Sequence, residues 1–305
     1  MSPMYHEPVL LNESIGGLDI KPNGIYVDCT FGGGGHSREI LSRLNEEGRL
    51  YAFDQDADAA RNSLDDPRFS LLPMNFRFIE RGLRIHNLRK VDGVLADLGV
   101  SSHQFDTAQR GFSLRFDGPL DMRMNAASKL SAAELLMQVD ERELIHILRT
   151  YGEIINAKRL AVALIEQRQS QPILTTFELV ELLNGFSPIQ KRHSYQAQVF
   201  QALRIAVNEE LEALRALLES SLNLLDIGGR LSIISYHSLE DRMVKRFVKE
   251  GWMEDEAERD SFGRRHFRFQ PIHKKTIDPS EDEIARNPRA RSARLRVAER
   301  VDLWK

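Results

Sequence analysis

The chain has 305 residues with a net charge of −3, and 42% of them are hydrophobic, as is ordinary for a soluble globular protein. Its single cysteine, Cys29, excludes a disulfide framework, and no Cys/His spacing resembles a zinc site, so no metal is expected. No apolar run approaches the roughly 18 residues of a membrane span, and residues 1–11 lack the pattern of a signal peptide. We therefore expect a cytoplasmic protein without a membrane partner.

The first hundred residues alternate between strand and helix patterns. Apolar runs rich in β-branched and aromatic residues predict strands at 24–31, 49–56, 68–76 and 91–102. A helical pattern follows the first run, and a short helix follows the second. Such alternation predicts βαβ units, a parallel sheet and a ligand site at the carboxyl ends of the strands.

From about residue 108 the pattern becomes helical. Three capping boxes are predicted, each with a first residue that caps a helix and an acid three positions later: Ser131 with Glu134, Asp140 with Glu143, and Thr175 with Glu178. No strand pattern stands between about 131 and 185. A long helical pattern over 197–225 then leads to a Gly228-Gly229 turn and a further strand at 230–237.

The return of a strand after these helices decides the domain prediction. We expect a discontinuous sheet domain, 1–107 and 206–305, interrupted by a helical domain at 108–205 that serves substrate recognition. Two tandem domains are the alternative, which the resumed strand disfavours.

The stretch "DCTFGGGGHS" (28–37) indicates a nucleotide site. A glycine turn between the first strand and its helix, with Asp54 20 residues after Gly34, places a carboxylate where it reaches ribose hydroxyls. The stretch lacks the lysine of a P-loop. Asp28, at the end of the first strand, suits a cationic cofactor such as S-adenosylmethionine better than a pyrophosphate; a structural carboxylate bonded to loop amides is the alternative.

Three more residues are site candidates, each with a structural alternative. His36 stands at the start of the helix, where it either contacts the cofactor or has no role. Phe76, after the third strand, either stacks on adenine or packs in the core. Asp97 ends the fourth apolar run, and because an unpaired buried carboxylate is costly, a functional role is favoured there.

Six segments occur in order and together resemble the bacterial RsmH family, also called MraW: "HEPVLLNE", "DCTFGGGGHS", "DLGVSS.Q", "RGFSLRFDGPLDMRM", "GGRLSIISYHSLEDRMVKRF" and "NPRARSARLRVAER". The resemblance covers essentially the whole chain. It implies a class I S-adenosylmethionine-dependent methyltransferase fold (α/β, Rossmann-like) with an inserted helical domain, and methylation of cytidine N4 in the decoding region of 16S rRNA. The cofactor contacts that it implies are Gly34, Gly35, His36, Asp54, Phe76, Asp97 and Gln104.

Asp97 is also our candidate catalytic residue, because a carboxylate there accepts a hydrogen bond from the target amine. "DLGVSS" has no adjacent aromatic residue to stack on the target base. Phe105, Phe112, Tyr236 and His237 are candidates for that role, and the sequence does not rank them.

The C-terminal quarter is the basic part of the chain. "RRHFRFQPIHKK" (264–275) combines five Lys/Arg with two phenylalanines and contains no acid, and "RNPRARSARLRVAER" (286–300) has six arginines and one glutamate. These stretches favour contact with 16S rRNA through phosphates and stacked bases, with a solvated basic strand or loop as the alternative. Other functions that the sequence leaves open are a methyltransferase acting on another RNA, DNA or protein, a nicotinamide dehydrogenase and a non-catalytic RNA-binding assembly factor. The oligomeric state is open, a homodimer included.

Overall fold

The computed structural model describes residues 8–251 and 259–304. Residues 1–7, part of the segment that lacks a signal-peptide pattern, lie outside this range. The chain divides into two compact units: one includes the residues up to Gly99 and from Leu211 onward, and the other is Val100–Glu210. The helical domain expected at 108–205 falls inside the second unit, which begins earlier and ends later. No helix in the described residues is both long and apolar enough to cross a membrane.

The described residues of the first unit form one seven-stranded sheet. Its strands are β1 (Ile25–Asp28), β2 (Arg49–Phe53), β3 (Phe69–Leu72), β4 (Val91–Asp97), β5 (Leu225–Ser235), β6 (His266–Pro271) and β7 (Arg294–Trp304). The order is β3-β2-β1-β4-β5-β7-β6, with β1 to β5 parallel and β7 antiparallel to both of its neighbours. An antiparallel strand inserted beside β5 is the arrangement of class I methyltransferases, so the predicted fold class is confirmed.

Twelve α-helices lie in the described residues. They are α1 (Leu11–Leu18), α2 (Gly35–Arg43), α3 (Ile79–Ile85), α4 (Ser102–Asp106), α5 (Ala132–Gln138), α6 (Glu141–Gly152), α7 (Ala157–Ser170), α8 (Thr176–Leu183), α9 (Arg192–Asn208), α10 (Glu210–Leu224), α11 (Ser238–Glu250) and α12 (Glu281–Arg286). The capping boxes at Ser131 and Thr175 are confirmed. Asp140 caps α6 by accepting from the Glu143 amide.

Helices cover both faces of the sheet. On one face, Ile15 of α1 and Ile40 of α2 pack with buried side chains of β1, β2 and β4. On the other face, Leu83 of α3, Leu217 of α10 and Phe247 of α11 belong to a second buried cluster with alternate residues of the same strands. Because both faces are buried, the central strands are apolar along most of their length, as the sequence pattern indicated.

The parallel strands end earlier than their apolar patterns. β2 stops at Phe53 and β3 at Leu72, whereas the sequence patterns continue to residues 56 and 76. Beyond Phe53, the Asp54 carboxylate accepts from the amides of Gly32 and Asp56, so the chain turns instead of continuing the ladder. The polar residues that close each pattern therefore lie at the carboxyl edge of the sheet.

The helix predicted over 197–225 is two helices. α9 ends at Asn208, and Glu209 adopts a left-handed conformation with φ of 49° before α10 begins. The Asn208 side chain accepts from the Met124 amide at 2.7 Å and donates to the Met122 carbonyl at 2.8 Å, which ties the end of α9 to a distant loop. Tertiary hydrogen bonds thus override a continuous helical pattern.

The second unit has a core of its own. Buried side chains from α5 to α9 form one cluster, to which Leu136, Leu148, Leu160, Leu179 and Leu203 each contribute from a different helix. All members of that cluster lie between residues 100 and 210. The helices α5 to α9 therefore share a hydrophobic core within this unit.

Candidate active site

Three carboxylates stand at the carboxyl edge of neighbouring strands. Asp28 is the last residue of β1, Asp97 is the last residue of β4, and Asp54 directly follows β2. Burial raises the pKa of all three, and the negative charge of Asp28 adds to the rise at both other residues. An edge where one buried carboxylate raises the pKa of two others favours a cationic ligand.

Asp28 has the structural role that the sequence left as an alternative. Its side chain is fully buried and accepts from the Thr30 amide at 3.1 Å and from the Ser37 hydroxyl at 2.7 Å. These bonds join the end of β1 to the first turn of α2. Asp28 therefore fixes the glycine loop instead of facing a ligand.

The glycines of the loop are explained chiefly by packing within the protein. Gly34 caps α2 with φ of 75°, and a Cβ there would stand 2.9 Å from the Phe31 ring. A Cβ on Gly35 would stand 2.1 Å from Pro8. At Gly32, φ is 50°, and a Cβ would make only an ordinary contact, at 4.0 Å, with the Thr30 carbonyl oxygen. Side chains are thus excluded at Gly34 and Gly35 by Phe31 and Pro8, whereas Gly32 is half-buried and is favoured by its positive φ.

Asp54 is arranged to receive further hydrogen bonds. One of its oxygens accepts from the Gly32 amide and the other from the Asp56 amide, each at 2.8 Å. A carboxylate offers about four acceptor sites, so both oxygens retain capacity for hydroxyl donors such as those of a ribose. Burial raises the pKa of Asp54 to about 6, although these two amides act to lower it.

Asp97 is held by groups that are distant in sequence. Its amide donates to the Thr30 hydroxyl at 2.7 Å, and its Oδ1 accepts from the Tyr236 hydroxyl at 2.7 Å. Burial raises the pKa of Asp97 to about 6, against the lowering effects of His36 and Tyr236. Burial also raises the pKa of Tyr236 well above its ordinary value, so this hydroxyl stays protonated and donates.

His36 and Asp97 present two acceptors to each other. His36 is buried, and its Nε2 lies 3.1 Å from the Val9 carbonyl oxygen, which only accepts, so Nε2 carries the proton. Burial lowers the pKa of His36, although Asp97 and the Val9 carbonyl act to raise it, and the ring is neutral at pH 7. Its Nδ1 is then an acceptor, 4.0 Å from Oδ2 of Asp97. A pair of facing acceptors is completed by a donor such as an ammonium group.

These features fit S-adenosylmethionine. The cofactor carries an ammonium group and a sulfonium cation together with ribose hydroxyls. The facing acceptors of His36 and Asp97 suit the ammonium group, the residual acceptor capacity of Asp54 suits the hydroxyls, and the acidic edge suits a net positive charge. A pyrophosphate is an anion, and it would face the carboxylates of Asp54 and Asp97 where it needs a positive charge.

Phe76 and Gln104 occupy different positions. Phe76 begins a short 3₁₀ helix after β3 and packs its half-buried ring against the sheet core; the preceding Asn75 donates to Gln55, the neighbour of Asp54. Gln104 belongs to the second unit, where its side-chain oxygen accepts from the Ser101 amide in a capping box. The first unit therefore brings Gly34, Gly35, His36, Asp54 and Asp97 to one edge, with Phe76 close to Asp54 along the sheet.

The candidate stacking residues are not equivalent. Phe112 is buried in the core of the second unit, which excludes it as a platform for a base. Phe105 is partly buried against the same core. His237 caps α11 in a capping box with Glu240. The Tyr236 hydroxyl is bonded to Asp97, a role that the sequence did not reveal because the two residues are 139 positions apart.

The C-terminal basic segments are partly structural. Phe269 is buried and packs on Phe247 with ring centroids 5.3 Å apart, so this phenylalanine of the 264–275 stretch is not available to stack on RNA. Arg296 pairs with Asp241 at 2.7 Å, and Arg294 shares the same carboxylate at 3.4 Å. Successive side chains of a strand point to opposite faces of the sheet, so β6 and β7 turn some side chains of the basic segments inward.

Comparison with known proteins gives the family. Residues 3–301 match the model of the MraW methylase family. A protein named ribosomal RNA small subunit methyltransferase H from Cytophaga hutchinsonii is 58% identical over 97% of this chain and all of that protein. A protein of the same name from Flavobacterium johnsoniae is 54% identical, with 97% of this chain and 98% of that protein covered.

Solved structures are more distant. A putative rRNA methylase from Clostridium thermocellum aligns with a TM-score of 0.45 at 13% identity, covering 96% of this chain and 98% of that chain. That score is too low to establish a shared fold, and the fold assignment stands on the strand order. On the family match and the full-length relatives, this chain belongs to the MraW methylase family, and its methyl donor is S-adenosylmethionine.

Proposed function

We propose that this protein transfers a methyl group from S-adenosylmethionine to the N4 amine of a cytidine in the decoding region of 16S rRNA. The observation that carries the proposal is the 58% identity, over 97% of the chain, to a relative named as a small-subunit rRNA methyltransferase. The decoding region and the N4 atom follow from the resemblance of the sequence motifs to the RsmH family. A methyltransferase acting on another RNA, DNA or protein is the alternative.

The proposed cofactor site uses the carboxyl edge of the sheet. Asp54 would bind the ribose hydroxyls, and Phe76 would lie against the adenine. The remaining proposed contacts are Gly34, Gly35, His36, Asp97 and Gln104. S-adenosylmethionine supplies an activated methyl group on a sulfonium centre, so the task of the protein is to hold the two reactants in line and to keep water from the site.

Asp97 is the residue to which we assign the catalytic role. The exocyclic amine of cytosine is a weak nucleophile, because its lone pair is delocalised into the ring. A carboxylate that accepts a hydrogen bond from this amine directs the lone pair and receives the proton that the nitrogen loses on methylation. A carboxyl group with a pKa of about 6 is suited to that exchange near neutral pH. The competing role for Asp97 is to bind the ammonium group of the cofactor.

Kinetics separates the two roles. If Asp97 contacts the target amine, Asp97→Ala lowers turnover by roughly a hundredfold or more at saturating cofactor. If it binds only the cofactor, the variant raises KM for S-adenosylmethionine and keeps near-normal turnover. Asp97→Asn is the matched variant, because it keeps the shape and one acceptor oxygen while removing the charge.

The Val100–Glu210 unit is the proposed substrate-recognition domain. Support comes from its own hydrophobic core and from its position in the sequence, where it interrupts the sheet domain. In this proposal the protein works in the cytoplasm on 16S rRNA within the small ribosomal subunit. The relatives' names and the buried free thiol of Cys29 support that setting. A homodimer stays a prediction, which light scattering would measure.

Nucleoside mass spectrometry tests the substrate. We expect 16S rRNA from cells without this gene to lack one N4-methylated cytidine, and the purified protein to restore it on small subunits from those cells. An unchanged N4-methylcytidine content, or loss of a different modified nucleoside, would contradict the proposal.

A further inference from the structure

A compact group of basic residues, four of them Lys or Arg, lies at the start of two helices of the second unit. We define the basic surface as Lys158, Arg159, Lys191, Arg192 and His193. The first two lie in the opening turn of α7, and the others lie at the start of α9. All are exposed except the half-buried Arg192. The unit as a whole has 12 Lys/Arg and 13 Asp/Glu between residues 100 and 210, so this concentration of positive charge is local.

Specific contacts bring the two helix starts together. The Asn156 side chain, just before α7, donates to the Phe186 carbonyl at 3.2 Å and accepts from the Tyr195 hydroxyl at 2.8 Å. The Arg159 guanidinium lies over the Phe186 ring, 5.2 Å from its centroid. The chain between Phe186 and Tyr195 carries Lys191, so the cations of both helices share one surface.

These cations are not used in salt bridges. The arginines of this unit that pair with carboxylates are elsewhere, as in Arg123 with Asp121 and Arg204 with Glu210. In the described part of the chain, no carboxylate forms an ion pair with a member of the basic surface. Arg192 Nε also has no hydrogen-bond partner there. The charge is therefore available to an external anion.

The charge at these helix starts is unfavourable within the protein itself. α5, α6 and α8 each begin with a capping side chain, from Ser131, Asp140 and Thr175, and each has a glutamate in its first turn. α7 and α9 have neither a side-chain cap nor a first-turn acid. Basic residues at the positive end of a helix dipole destabilise the helix, and an external anion relieves that repulsion.

Apolar side chains border the basic surface. Ile155, just before α7, is 98% exposed, and Ile189, just before α9, is 72% exposed. Exposed apolar groups beside unpaired cations suit a ligand that presents both phosphates and less polar sugar or base surfaces. A nucleic-acid strand has this combination, and it also supplies many phosphates at regular intervals.

We infer that the basic surface binds the sugar-phosphate backbone of the rRNA substrate. The inference rests on the proposed function, and it assigns to these five residues affinity for RNA without a part in the chemistry. Phosphate contacts position an RNA without reading its sequence. Binding through this surface is therefore strongly dependent on salt and insensitive to the bases contacted.

The test is the salt dependence of binding to unmethylated 16S rRNA. Each phosphate contact contributes about 0.7 to the slope of log affinity against log salt on a single strand. We expect K158Q/R159Q/K191Q to lower the magnitude of that slope by about 2 and to weaken binding at physiological salt. Glutamine removes the charge, stays polar and has a helix propensity close to that of lysine and arginine. Calorimetric titration with S-adenosylmethionine checks that the variant is folded.

K129Q/R142Q/R149Q is the matched control, because it removes three exposed charges from the same unit outside the basic surface. Equal slopes for the two triple variants would overturn the inference. It would also be overturned if K158Q/R159Q/K191Q weakened binding to assembled small subunits and left binding to naked 16S rRNA unchanged, because that result would identify an acidic protein as the partner. Failure of the proposed function is distinguishable from failure of this inference, because in the first case the wild-type protein would not methylate small subunits at all.

Discussion

Removal of the Tyr236 hydroxyl should move the acid limb of the pH–rate profile. In Tyr236→Phe, the half-buried Asp97 carboxylate loses the hydrogen bond that Oδ1 accepts at 2.7 Å. A hydrogen bond to a charged group contributes roughly 1.5–3 kcal/mol, and one pKa unit corresponds to about 1.4 kcal/mol. The pKa of Asp97 should therefore rise by about 1 to 2 units from its value of about 6.

The direction of the pKa shift follows from the protonation state of Asp97 that Tyr236 stabilises. Tyr236 donates to the ionised carboxylate, so its loss disfavours ionisation and raises the pKa. If the ionised form of Asp97 is required, the variant loses roughly two- to tenfold of its rate at pH 7 and regains it near pH 9. The assay is kcat/KM for S-adenosylmethionine between pH 5 and 9, which reports the pKa values of the free enzyme.

Tyr26→Phe is the matched control. The Tyr26 side chain is buried, and its hydroxyl accepts from the Lys21 amide at 2.7 Å, so the control also loses a buried hydrogen bond. We expect this control to lower the melting temperature and to leave the acid limb in place. An acid limb that is equally unshifted in Tyr236→Phe would refute the reasoning and leave Tyr236 a purely structural residue.

Three further predictions concern the cofactor site. Asp54→Ala should weaken S-adenosylmethionine binding by about 1–3 kcal/mol, because ribose hydroxyls lose their acceptor; unchanged affinity in calorimetry would contradict the assignment. Affinity for S-adenosylmethionine should fall below about pH 6, where Asp54 and Asp97 take up protons and lose their charge; equal affinities at pH 5 and pH 8 would speak against it. Gly35→Ala should destabilise the fold by about 1–3 kcal/mol through the clash with Pro8, whereas Gly16→Ala, where the space is open, should not lower the melting temperature.

Sequence reasoning predicts that the candidate site lies at the carboxyl edge of the sheet. Apolar runs that end in an acid predict strands, and the carboxyl ends of parallel strands meet at one edge, so Asp54 and Asp97 were expected to lie near the glycine turn. The same reasoning did not separate the roles of the acids. Asp28 and Asp97 each end an apolar strand, yet the first accepts hydrogen bonds from the loop residue Thr30 and from Ser37 of α2, whereas the second faces His36.

What the sequence determined by itself is local: the strands β1 to β5, the glycine turn, the capping boxes at Ser131 and Thr175, and the alternation that specifies a parallel sheet. These depend on side-chain periodicity and on hydrogen bonds between residues a few positions apart. The tertiary structure decided the partner of Asp97, which is Tyr236 because β5 lies beside β4. It also decided the break at Glu209, where Asn208 reaches a distant loop. Contacts of this kind form only after the whole chain has packed, and no local pattern encodes them.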